Sequence, residues 1–282
     1  MHPVECLFER DALPRFGLPS ALAALYGGDF GLARPAIYAN FVASVDGVVA
    51  LATVGESGAV VSGHSEPDRF VMGLLRAAAD AVLIGAGTFR AGAGGLWLPE
   101  TVFPAAAEHF AELRAHLGLR PRPLLVVVTA SGHIDLAQPA LRDCLILTTA
   151  QGEAHLRGKL PTGARIVVLG AELSSWRSRI DLLRDEGHEV ILSEGGPTLV
   201  GQLLDEDIVD ELFVTTSPKL FGRQSDDGRK SLVAGVDLAG RALQLLSLRR
   251  HESHLFLRYG VQRATAEPVR RARVGSRALG PR

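Results

Sequence analysis

Cysteine is nearly missing: Cys6 and Cys144 are the only two in 282 residues. That excludes a disulfide framework and a multi-cysteine zinc site. No His-x-Glu stands with a Pro-Cys-x-x-Cys, which removes zinc-dependent deamination. Among nine histidines, His251 and His254 stand close together, but with no third ligand, so no metal is expected. Ser57 and Ser62 lack a nucleophile elbow, which leaves a hydrolase triad without support. No apolar run reaches membrane-spanning length, and no basic start leads into an apolar core, so neither a membrane nor a secretory role is expected. The chain reads as cytoplasmic. One charge sign does not dominate either, since 30 basic and 31 acidic residues leave a formal net charge of -1. Net charge therefore gives no argument for nucleic acid as a partner.

What is present is the composition of an ordinary globular protein, 47% hydrophobic and 22% charged. Residues 1–35 mix Pro, Gly and polar side chains and read as an arm packed on the domain, with a short helix near Ser20–Tyr26. From Ala36 apolar runs alternate with helical patterns. Strands are expected at Ala36–Ser44, Ala81–Ile84, Leu124–Thr129, Leu145–Leu147, Ile166–Leu169, Val190–Ser193 and Glu211–Thr216. Several are unbroken Val, Leu and Ile, which suits a parallel sheet buried on both faces. Ser65 reads as a helix cap with Pro67 in the first turn, ahead of a face of Phe70, Leu74, Leu75 and Ala78. Trp176, Ile180 and Leu183 form a second helical stripe, and Leu199, Val200, Leu203 and Leu204 a third. Ala242–Arg249 and His254–Gln262 read as an antiparallel hairpin at the sheet edge. The class is α/β, with a mostly parallel central sheet, helices on both faces and a C-terminal antiparallel hairpin. Residues 36–262 make up this domain. The stretch 263–282 is rich in arginine and poor in large apolar side chains, and it is expected as a disordered basic tail. A basic arm that touches an acidic partner or nucleic acid is the sharper alternative.

Chemistry concentrates at strand ends. In Ile191-Leu192-Ser193-Glu194-Gly195-Gly196-Pro197-Thr198-Leu199 a buried strand runs into an acid, two glycines and a helix start. Such a turn gathers backbone N–H groups and the positive end of a helix where a phosphate can sit. Pro197 suits the first turn, and the N–H groups of Thr198 and Leu199 are expected to be free. Gly85-Ala86-Gly87-Thr88 repeats this logic, although it does not fit the dinucleotide fingerprint. Ser44-Val45-Asp46-Gly47 closes the first long strand as a turn. Asn40 and Ala43 lie on that strand, and an amide at Asn40 suits the polar edge of a heterocycle. Glu56-Ser57-Gly58 follows in an expected loop. A small-molecule enzyme is the leading reading.

Taken in order, further motifs join these. They are Asn40-Phe-Val-Ala-Ser-Val-Asp-Gly47, Leu75-Arg76 with Ala79 through Thr88, Ser193 through Leu199, Val209-Asp210-Glu211-Leu212 and Ser217-Pro218-Lys219-Leu220-Phe221-Gly222. Over about residues 36–260 the set resembles the pyrimidine reductases of riboflavin biosynthesis, whose fold is dihydrofolate-reductase-like. The resemblance implies NADPH-dependent reduction of 5-amino-6-(5-phosphoribosylamino)uracil, or its 2,5-diamino analogue, to the ribitylamino product. It places cofactor contacts on Ala43, Asp46, Thr88, the region of Ser131, and Gly195, Gly196, Pro197, Thr198 and Leu199. It places substrate contacts on Asn40, Ser57, Arg76 and Glu194, with Glu194 the catalytic carboxylate on the pyrimidine N–H edge and Arg76 on the sugar or its phosphate. A homodimer is also implied, with the Leu255-Phe256-Leu257 edge as a contributor.

The chain departs from many of these reductases after Thr88. Where they carry Asp-Asp-Pro and a later arginine, it reads Phe89-Arg90-Ala91-Gly92-Ala93-Gly94-Gly95-Leu96-Trp97-Leu98-Pro99. Gly92 replaces an acid and Pro99 the arginine. Arg90 becomes a candidate for the missing charge, and Trp97 for stacking on a ring. Asn40 stands where many bacterial relatives have lysine. The deaminase domain that accompanies many of them is not in these residues, so another chain would supply that step. Two other readings stay open: a related NADPH-dependent reductase of another heterocycle such as a dihydropterin, and a non-catalytic nucleotide-binding module. The arginine or lysine that would meet a 2′-phosphate and select NADPH is not identifiable from the motifs.

Overall fold

The alternation of apolar runs and amphipathic segments resolves into one ten-stranded sheet in a computed structural model that describes residues 1–51, 57–92, 95–222 and 228–263. The strands are β1 (Glu5–Glu9), β2 (Ala36–Ser44), β3 (Ala81–Gly85), β4 (Leu124–Thr129), β5 (Cys144–Thr148), β6 (Arg165–Val168), β7 (Val190–Ser193), β8 (Glu211–Ser217), β9 (Leu243–His251) and β10 (His254–Val261). Their order is β1-β9-β10-β8-β2-β7-β3-β4-β5-β6. Every pairing from β8 across to β6 is parallel, while β8 to β10, β10 to β9 and β9 to β1 are antiparallel.

The helices are α1 (Ser20–Tyr26), α2 (Ser57–Ser62), α3 (Glu66–Ala78), α4 (Ala86–Ala91), α5 (Pro99–Val102), α6 (Ala107–His116), α7 (Ala150–Leu156), α8 (Trp176–Asp185) and α9 (Pro197–Asp205). They cover both faces of the sheet. Phe70 and Leu74 of α3, Phe110 of α6 and Leu156 of α7 share one core cluster, and α8 with α9 fills the other. Successive β2 side chains divide between the two, Tyr38 to the first and Ile37 and Ala39 to the second, as the two-residue strand period requires. This burial on both faces is why β3, β4 and β5 read as nearly unbroken apolar runs.

Polar hooks fix the register. Asp80 accepts the N–H of Val190 (2.8 Å) at the start of β7, and Asp210 accepts that of Ile37 (2.8 Å) at the start of β2. Helix α3 starts where expected, with Ser65 Oγ accepting the Asp68 N–H at 3.3 Å and Pro67 in the first turn. The Tyr38 hydroxyl, buried under α3, donates to the Leu75 carbonyl at 2.6 Å.

Three expectations change. The C-terminal hairpin is not at the sheet edge, because β10 pairs with β8 on one side and β9 on the other. The edge is β1, a strand absent from the sequence reading, and Phe256 is buried between neighbours instead of lying on a free edge. Ser57 opens helix α2 and is not in a loop. Glu56, Ala93, Gly94 and residues 264–282 of the expected basic tail lie outside the described residues. Among the described residues no helix is long and apolar enough to cross a membrane.

Candidate active site

Strands β7 and β3 are neighbours, but their following helices part. Phe89 of α4 packs in the first core cluster and Leu199 of α9 in the second. This divergence opens a crevice at the carboxyl ends of the strands, the place where open α/β sheets bind ligands. A cleft of about 1310 Å³ occupies it.

Both glycine turns face that cleft. Gly87 and Thr88 line it from α4, and Gly195 through Leu199 from the turn after β7 and the start of α9. The turns approach so closely that a Cβ built on Gly196 would stand 3.5 Å from Thr88 Oγ1, and one on Gly195 would strike Leu199 at 2.8 Å. Glycine is needed for space at Gly195, whereas a Cβ at Gly196 would only make ordinary contact while narrowing the gap between the turns. The Leu199 N–H, expected to be free, is taken by the Gly196 carbonyl at 2.9 Å because the helix begins with a tight turn. Among the described residues the N–H of Thr198 has no such bond, so the positive end of α9 still opens on the cleft.

Arg76 and Glu194 meet on the cleft wall. Nε donates to Oε1 at 2.8 Å and Nη2 to Oε2 at 2.6 Å, a bidentate pair in which each side chain is 9% exposed. Arg76 Nη1 also donates to the Leu98 carbonyl at 3.3 Å. Two edges of the guanidinium are thus committed within the protein, and Glu194 is oriented by fixed donors. Asn40 and Ser57 line the same cleft; Ser57 Oγ accepts the Leu51 N–H at 3.1 Å and so anchors the start of α2.

Asp68 is the group that sequence reading missed. It lies four residues before Met72 and eight before Arg76, so one face of α3 presents all three to the cleft. Asp68 is buried, and that burial pushes its carboxyl up to about 6 against the pull of a hydrogen bond from Thr215. In the sequence it is an unremarked acid in the first turn of a helix. The four-residue spacing was the only signal available.

Other expected contacts fall outside the cleft lining. Ala43 packs in the second core cluster. Asp46 accepts from Ser44 Oγ at 2.5 Å and from the N–H groups of Phe221 and Gly222 at 3.2 Å and 2.6 Å. Those hydrogen bonds, Ser44's foremost, hold its carboxyl below the usual range, and the residue pins the strand-end turn to the loop after β8. Ser131 Oγ accepts the His133 N–H at 3.4 Å. Arg90 is exposed and donates to the His133 carbonyl at 2.7 Å. Trp97 stacks on Phe89, with centroids 5.5 Å apart. The same indole explains Gly92, since a Cβ there would meet Trp97 Cζ2 at 2.8 Å. A side chain at that position would force the indole to shift.

A family model described as the RibD C-terminal domain matches residues 35–257. The 2,5-diamino-6-ribosylamino-4(3H)-pyrimidinone 5′-phosphate reductase of Archaeoglobus fulgidus is 27% identical over 192 residues, or 67% of this chain and 83% of that one. A pyrimidine reductase-like protein from Corynebacterium diphtheriae has a similar structure, with a TM-score of 0.66 at 23% identity over 88% of this chain and 96% of that one. RibD of Acinetobacter baumannii gives 0.62 at 20% identity over 86% of this chain and 60% of its own. At such identities the structural likeness is one of fold.

Proposed function

The chain belongs to the RibD C-terminal domain family, and from that premise we propose that it is an NADPH-dependent reductase of a phosphoribosylamino-pyrimidine. The observation that carries this reading is the buried bidentate Arg76–Glu194 pair on the wall of a cleft into which two glycine turns open. The relative from Archaeoglobus fulgidus is named for a reaction of this class.

The residues fit the cofactor. Gly87, Thr88, Gly195, Gly196 and the free N–H of Thr198 form a cradle that side chains would fill, suited to a diphosphate. When bound, the reduced nicotinamide supplies the hydride for C1′ of the sugar in its open imine form. Glu194, held by Arg76, keeps lone pairs for the N–H edge of the pyrimidine, and Asn40 adds an amide across the cleft. Hydride on carbon must be matched by a proton on the imine nitrogen to give the secondary amine. Asp68 is our proton source, since a carboxyl titrating near 6 serves as a general acid close to neutral pH. Water exclusion by Leu96, Trp97 and Met72 at the lining favours that transfer.

Trp97 over Gly92 favours a second reading, in which the heterocycle differs from that of relatives bearing an acid at this position. Loss of reduced-nicotinamide absorbance on adding a phosphoribosylamino-pyrimidine is the expected result. Turnover of dihydrofolate alone would select the second reading, and turnover of neither would refute both.

A further inference from the structure

Helix α8 closes the end of the cleft opposite Asn40. The strand order runs β2, β7, β3, β4, β5, β6, and Leu173, Trp176 and Arg179, which follow β6, line the cleft together with Val128 of β4. Arg179 is 5% exposed. Its Nη2 donates to the Ser174 carbonyl, but Nε and Nη1 have no hydrogen-bond partner among the described residues. A buried guanidinium with unused donors is costly, because those N–H groups have lost water and gained nothing.

The group is nevertheless held firmly. Its plane lies over the Trp176 ring, 4.0 Å from the centroid. Trp176 is fixed in turn by Nε1 donating to Gln202 Oε1 and by its backbone N–H donating to Glu206 Oε1, both at 2.9 Å. The Glu206 carboxylate accepts the N–H groups of Trp176 and Arg177 and acts on Arg179 only at a distance, with no ion pair between them among the described residues. This preoriented cation lines the same cleft as the positive end of the nine-residue helix α9, its unpartnered donors buried in the cleft wall. Burial lowers the pKa of Arg179 although the Glu206 charge pulls the other way, and an anion in contact would offset the remaining penalty. The two features together describe an anion receptor.

Phosphate is the anion class that suits a guanidinium fork. If the reacting end of a dinucleotide sits at Glu194 and its diphosphate at the glycine turns, the adenosine end runs toward β4 and α8. We propose that Arg179 receives the 2′-phosphate at that end and is the residue by which this chain prefers NADPH to NADH. The inference rests on the cofactor reading above. Arg90, on the helix after β3, is exposed, spends its Nη1 on the His133 carbonyl and does not line the cleft.

Calorimetric titration of the full chain with NADPH, NADH, adenosine 2′,5′-bisphosphate and adenosine 5′-phosphate tests it without turnover. The unaltered protein should bind each 2′-phosphorylated ligand about 10- to 100-fold tighter than its counterpart. Arg179→Gln should abolish that preference while leaving NADH within about twofold, Arg179→Lys should retain part of it, and Arg90→Gln should leave it intact. If Arg179→Gln does not fold, the ligand comparison on the unaltered protein and on Arg179→Lys still decides. Equal binding of NADPH and NADH by the unaltered protein, equal weakening of both by the variants, or loss of preference in Arg90→Gln alone would overturn the assignment and leave the cofactor reading standing. Failure to bind any of the four ligands would instead remove the cofactor reading itself.

Discussion

At the scale of single residues, the cleft is defined by charges that cannot be removed one at a time. Arg76 is buried, the Glu194 side chain is nearly so, and the two satisfy each other. Truncating either strands the other, and that costs about 3–5 kcal/mol, whereas an apolar pair of similar volume is often neutral. Glu194→Leu alone should therefore lower unfolding free energy by about 3–5 kcal/mol in urea titrations. The double variant Arg76→Met with Glu194→Leu should recover most of that loss. Neither should reduce a phosphoribosylamino-pyrimidine. A double variant as unstable as the single one would show that the pair is not the source of the cost. Recovered activity in the double variant would show that neither charge touches substrate.

At the scale of elements, α3 positions Asp68 and Arg76, and α6 positions α3. Gly73 lets the Phe110 ring approach so closely that a Cβ would stand 2.7 Å from its Cζ. Arg114 is buried and reaches across the same interface. Its Nη1 donates to the carbonyls of Arg76, Ala77 and Ala79 at 3.3, 3.0 and 2.7 Å and its Nε to that of Arg120 at 2.8 Å. A cation at a helix C-terminus meets both the unsatisfied carbonyls and the helix dipole. Arg114→Met should thus lose roughly 3 kcal/mol or more, with the Arg76 end of α3 first to gain amide exchange. Uniform exchange across the helix would count against this capping role. Little of this pairing was visible in the sequence. The parallel strands were legible because burial on both faces leaves unbroken Val, Leu and Ile, and α3, α8 and α9 because caps and stripes mark them. Strand β1 was not, since four of its five residues are exposed and its place depends on a partner, β9, more than 230 residues later. Arg114 reads as a surface charge until α3 is placed beside it. The glycine turns announced the cleft, but Asp68 and Arg179 matter through burial, a property that only the packed chain confers.

At the scale of the whole molecule, stability and chemistry draw on the same buried groups. The carboxyl of Asp68 titrates near 6 in the folded chain, against an ordinary value of 3.8. A carboxyl raised on folding makes the native state bind more protons than the unfolded chain between those values. Its contribution is favourable below about 4, declines as pH rises to about 6, and leaves a deficit of about 3 kcal/mol above that. His188 works in the opposite sense. Burial first, and Arg120 next, lower its pKa, so folding opposes its protonation and stability falls as pH drops below about 6.5. The two slopes partly cancel in the unaltered protein, and Asp68→Asn separates them. The amide can accept the Thr215 hydroxyl without carrying charge, so this variant should be more stable than the parent at pH 8 by up to about 3 kcal/mol and no more stable at pH 4. Under the proposed chemistry the same variant should turn over about 100-fold more slowly and lose the alkaline limb of its pH–rate profile. Denaturant titrations at three pH values, run beside initial rates, read both quantities. A stabilised variant with full activity would make Asp68 a structural acid, and a slow one without stabilisation would place its charge outside the buried wall. Gain in one with loss in the other is the outcome expected when a cleft keeps an acid buried for the proton it delivers.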